Sequence, residues 1–139
     1  MSRIVKPESG SSLRNQLLKN VASALRYGAQ HAPERDELRD MVAFITLSLA
    51  QVQDSLHSTV LAWEKRGYWV KADRFQREWI WVRQSMDDLH CVLKQDEVES
   101  ALPVLAELAS NLRTIKPSKK AIDAQLWRGA WKSWQEQNN

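Results

Sequence analysis

The chain has 139 residues, 43% of them hydrophobic, with 20 Lys and Arg against 17 Asp and Glu for a formal net charge of +3. That is the length and balance of one soluble globular domain with a single core, and the net charge is too small to imply a nucleic-acid partner by itself. Cys91 is the only cysteine, so no intramolecular disulfide forms and the chain suits a reducing cytosol; no apolar run nears the ~18 residues of a membrane span, and "MSRIVKPESGSS" lacks the apolar core of a secretory signal.

Residues 1–10 are expected to be a flexible N-terminal segment, and 11–139 a single domain. Ser11 or Ser12 is placed to cap a first helix, on which Leu17, Val21, Ala24 and Gly28 sketch a weak apolar seam. "HAPERDE" ends it and opens a second, with Pro33 near the first helical position and Glu34, Asp36 and Glu37 in a first turn that favours carboxylates.

The second helix has the clearest pattern: Leu38, Val42, Ile45, Leu49, Val52, Leu56, Thr59 and Trp63 alternate steps of four and three. Gly67 should stop it. Continuing the heptads would put Arg66, Val70, Asp73 and Arg77 into the seam, whereas the apolar pattern restarts at Phe75.

The third helix runs through Phe75, Trp79, Val82, Met86, Leu89 and Leu93 to "KQDEVES". Trp69, Ile80 and Cys91 make a further stripe, and Val70, Trp81 and Val92 another. Apolar residues around most of its circumference predict a central helix with more than one partner and a buried, inert Cys91 thiol. A fourth helix is predicted from Ser100, with Pro103 in its first turn. "KPSKK" then links it to a fifth over about 121–135. The face of Ile122, Leu126, Trp127, Ala130, Trp131 and Trp134 on this last helix is too wide to leave in water. It is expected to cover the Trp69, Ile80, Trp81 and Cys91 side of the third helix, in its own chain or exchanged onto a second.

The predicted fold is therefore all-α: an antiparallel up-down bundle of four helices with an additional C-terminal helix packed on it. In that topology Lys65, Arg66, Lys71, Arg74, Arg77, Lys116, Lys119 and Lys120 gather at one end as a candidate anion-binding pole, and Glu34, Asp36, Glu37, Asp40, Asp96, Glu97 and Glu99 at the other. Arg74, Arg77 and Trp81 share a stripe, where guanidinium groups beside a ring could stack on bases. Trp81, Trp127, Trp131 and Trp134 form the candidate interaction surface.

Dinuclear metal chemistry in a bundle needs acid and His ligands level with one another. Asp54 with His57 and Asp87 with His90 supply the spacing, but His90 falls about thirteen residues, ~20 Å, beyond the level of His57. No phosphate loop, dinucleotide fingerprint or zinc spacing is present. No residue is assigned a catalytic, cofactor-binding or metal-binding role. The expected function is non-catalytic: a small cytoplasmic interaction or assembly module whose partner is another protein or a second copy of the chain. The alternative is polyanion or nucleic-acid binding through the basic pole.

Overall fold

In a computed structural model that describes residues 7–117 and 124–138, six α-helices follow one another and no strand forms among the described residues. They are α1 (Pro7–His31), α2 (Arg35–Lys65), α3 (Trp69–Glu78), α4 (Ile80–Gln95), α5 (Ala101–Asn111) and α6 (Ala130–Gln137), with single 3-10 turns at Val98–Ser100 and Ala124–Leu126.

The long helix α2 is the element around which the others assemble. Its heptad seam lies where the spacing predicts: Val42, Ile45, Leu49, Val52 and Leu56 are buried. The seam is only part of its apolar surface, because Met41, Ala43, Thr46 and Ser48 are buried as well. The Thr46 hydroxyl reaches that interior by donating to its own helix, to the Val42 carbonyl at 2.7 Å. Helix α1 runs opposite to α2. Arg14 near its start reaches Ser55 and Thr59, and near its end a Cβ on Gly28 would meet Met41 Cε at 3.1 Å, so the glycine permits the close approach. Helix α4 also opposes α2, Arg39 meeting Asp96 just beyond its end. Helix α5 packs on α4 and α1, and α6 lies on α2.

Several boundaries differ from the pattern read in the sequence. Helix α1 begins at Pro7, ahead of Ser11 and Ser12, because proline fits a first helical turn. The expected third helix is two. Trp79, at φ −110° and ψ 8°, interrupts the helical path between α3 and α4, and the Val82 N–H donates to its carbonyl. On one unbroken helix Trp79 and Trp81 would point 200° apart; across the break their rings stack at 5.8 Å. The C-terminal helix is shorter than expected, starting at Ala130 after Gly129 in the left-handed region. Residues 121–123 of the expected span, with Ile122, lie outside the described residues.

The largest correction concerns the central helix. Helix α6 rests on α2, and three residues it was expected to cover, Trp69, Ile80 and Cys91, are exposed. The central helix is α2, which receives the tail on a second face where Phe44 meets Trp127.

Candidate functional site

The corner between α2 and α3 follows from the end of α2. Gly67 at φ +83° takes the left-handed position after the helix; its N–H donates to the Glu64 carbonyl at 2.9 Å and the Tyr68 N–H to the Trp63 carbonyl at 2.8 Å. This pair of bonds is the Schellman closure, which satisfies the last carbonyls and turns the chain sharply. Tyr68 then accepts from the Ala72 N–H and starts α3. The turn thrusts three consecutive large side chains outward: Tyr68, Trp69 and Val70 are 53%, 64% and 75% exposed. A Cβ added at Gly67 would meet nothing within 4 Å, so the space beside the glycine is open.

Behind the tip stands an aromatic stack. Trp63 meets Phe75 edge-on at 4.9 Å, Phe75 meets Trp79 at 6.2 Å, and Trp79 stacks on Trp81. Lys71 Nζ lies 4.6 Å from the Trp63 ring centre, and the Arg14 guanidinium 5.5 Å from that of Phe75. Arg14 is buried and donates to the hydroxyls of Ser55 (2.9 Å) and Thr59 (3.1 Å). Burial lowers its pKa from the ordinary guanidinium value, and no carboxylate pairs with it among the described residues.

Of the candidate anion-binding pole, Lys65, Arg66 and Lys71 surround this tip. Arg74 and Arg77 follow along α3, where Arg77 is held by Asp73 at 3.1 Å. Lys65, Arg66 and Arg74 form no ion pair among the described residues. Lys116 is exposed beyond α5, and Lys119 and Lys120 lie outside the described residues. The break at Trp79 separates Trp81 from Arg74 and Arg77, so the three do not share one helical stripe.

The candidate interaction tryptophans divide into two groups. Trp81 is half-buried in the stack behind the corner. Trp127, Trp131 and Trp134 sit with α6 on α2. Trp127 is 1% exposed between Tyr27 and Phe44, its indole N–H without an acceptor among the described residues; Trp134 is buried and meets His90 edge-on at 5.2 Å; Trp131 is half-buried and stacks on Trp134 at 5.4 Å. These rings are used within the chain. Six of the seven tryptophans have ring partners and Trp69 has none among the described residues.

Two neighbouring residues of α2 fasten the tail. The Asp40 carboxylate accepts the Trp131 N–H at 2.9 Å and the Gly129 N–H at 3.4 Å, so α6 is capped by another helix. The Arg39 guanidinium lies 4.7 Å from the Trp131 ring centre and pairs with Asp96 at 3.4 Å; Arg35 pairs with Asp96 and Glu99. The predicted acidic end is thus cross-linked by arginines.

Two of the concavities among the described residues measure about 490 and 450 Å³. The first runs between α1 and α2 past Leu13, Asp54, Ser58 and Trp63 toward the corner; the second, between α1, α2 and α5, is lined by Leu25, Met41, Leu105 and other apolar groups. Neither aligns a nucleophile with a base: Ser55 and Thr59 are occupied by Arg14 and by backbone carbonyls. His57 borders Phe75, Trp79 and Arg83 whereas His90 is engaged by Trp134, and no metal-competent group of three ligands occurs among the described residues. No described helix is long and apolar enough to cross a membrane.

No protein-family model matches the chain, and no curated protein or solved structure matches it either.

Proposed function

We propose that this chain is a non-catalytic interaction and assembly module, built as a four-helix up-and-down bundle with a docked C-terminal helix, that engages its partner through the corner between α2 and α3. One observation carries this proposal: Trp69 is exposed at the tip of a hydrogen-bonded turn between Tyr68 and Val70, while every other tryptophan is packed against another ring. An indole held in water by a well-ordered turn is costly unless something covers it during function. The lone cysteine fits work in the cytoplasm. A second copy of the chain is a candidate partner, giving a homodimer.

Polyanion or nucleic-acid binding remains the second reading, favoured by Lys65, Arg66 and Arg74 at the same corner, none of them held by a carboxylate among the described residues.

The test places a photo-crosslinking phenylalanine at position 69 and, as a control, at the exposed Gln84. Illumination in the producing cells should give an adduct, to a macromolecule or a lipid, from position 69 and not from 84. Equal or absent crosslinking at the two positions refutes the corner as the contact element.

A further inference from the structure

Granting that the corner is the contact element, we propose that its partner is a bilayer surface bearing anionic headgroups. The inference rests on the proposed function above and names the chemistry of what the tip meets.

Shape is the first ground. Tyr68, Trp69 and Val70 are exposed on a turn with open space beside Gly67, and none of the three lines the concavity that reaches Trp63 and Arg66. Single-stranded nucleic acid is bound along grooves that track its backbone. A protruding tip outside the concavity fits instead into a surface that deforms around it.

Area is the second. Scaled by their exposure, the three side chains offer about 300–400 Å² of mostly apolar surface. A stable protein interface covers about 800 Å² on each partner. A protein partner would have to reach well beyond the tip to cover that much, whereas the tip alone is sufficient for shallow insertion to the depth of the headgroup and acyl boundary.

Composition and charge are the third. Tryptophan and tyrosine favour the headgroup level, where an apolar ring with one polar atom is satisfied on both sides. Lys65 and Arg66 precede the tip and Lys71 follows it, so cations flank the inserted residues where anionic headgroups would lie. The Schellman turn and the ring stack behind it hold the tip before any bilayer is met, which lowers the ordering cost of insertion.

The experiment uses the full chain with vesicles of phosphatidylcholine, with and without phosphatidylserine. Sedimentation at low salt should show binding to the anionic vesicles alone, weakening as salt rises. Brominated acyl chains should quench tryptophan emission of the bound protein. Trp69→Ala should abolish that quenching and weaken binding about tenfold or more. Arg66→Ala should weaken it about fivefold. Melting temperatures of both variants should match the parent, since Trp69 and Arg66 are exposed and Trp69 has no ring partner among the described residues; Val70→Ser provides a second tip variant should Trp69→Ala misfold. Vesicle binding that is absent, or indifferent to Trp69 and Val70, overturns the lipid inference. If Trp69 crosslinks to a protein, or oligonucleotide binding depends on Trp69, the corner remains the contact element and only its partner changes. If neither tip variant alters binding to vesicles, oligonucleotides or crosslinked partners, the proposed function falls as well.

Discussion

Replacing Asp40 with alanine should release α6 from α2 while leaving the other helices in place. Helix α6 has eight residues, too few to persist alone. Burial of Trp134 and of Trp127 just ahead of it draws the segment onto α2, and the polar contacts at the start of the helix add to that hold. Asp40 supplies a side-chain cap worth about 0.5–2 kcal/mol and a negative charge at the helix N-terminus worth about 0.3–1 kcal/mol. Its loss should therefore raise the opening equilibrium of α6 about 5- to 150-fold, for a total of about 1–3 kcal/mol. Hydrogen exchange reads this directly. Amides of residues 133–137 should exchange faster by that factor, while those of Val42, Ile45 and Leu49 are unchanged. Asp40→Asn keeps an oxygen acceptor and loses the charge, so it should fall between alanine and the parent. Unchanged exchange in α6, or equal acceleration in all helices, would refute the assignment of Asp40 as the cap.

Trp127→Ala should cost about 3–5 kcal/mol in urea unfolding, as expected for a fully buried ring; Trp127→Phe should cost less, because it also removes an indole N–H buried without an acceptor among the described residues. Gly67→Ala should lose about 1–2 kcal/mol despite the open space around it, since the left-handed backbone opposes a Cβ. Arg14→Met should cost under about 1 kcal/mol, because Ser55 and Thr59 keep bonds to the Gly10 and Ser55 carbonyls and no buried partner is orphaned. Truncation after Pro117 uncovers Phe44 and Tyr27 and should cause aggregation measurable by light scattering; a soluble product of unchanged melting temperature would mean the tail is not part of the core.

The α2 seam and the stop at Gly67 were legible because they rest on rules local in sequence, a seven-residue period and the left-handed position that glycine fills. The break at Trp79 was not. Neither proline nor glycine marks it, and the stacking of Trp79 on Trp81 that accompanies it is a contact that helical geometry forbids until the helix is broken. The docking face of α6 was misplaced for another reason. Large rings made the third predicted helix look central, yet its leftover residues, Trp69 and Ile80, are exposed. The true signal was "MVAFITLSLA" over residues 41–50 of α2, ten positions without a charge, of which the heptad uses only three. Ala43, Phe44 and Leu47 were the unassigned remainder. Asp40 beside them read only as one charge of the acidic end; its use in gripping α6 depends on residues 89 and 91 positions further along the chain.

That separation sets an order of events. Closing a longer loop costs only slightly more entropy, but contacts distant in sequence form late. Helices α1 and α2 can pair as soon as both exist, whereas the second face of α2 waits for the last segment of the chain. At 5–20 residues per second, synthesis takes about 4–14 s to pass from the end of α2 to the end of α6. During that interval Phe44 faces solvent on the nascent chain. This face is therefore where a chaperone would bind the unfinished protein, and where a second nascent chain would first lend its own tail.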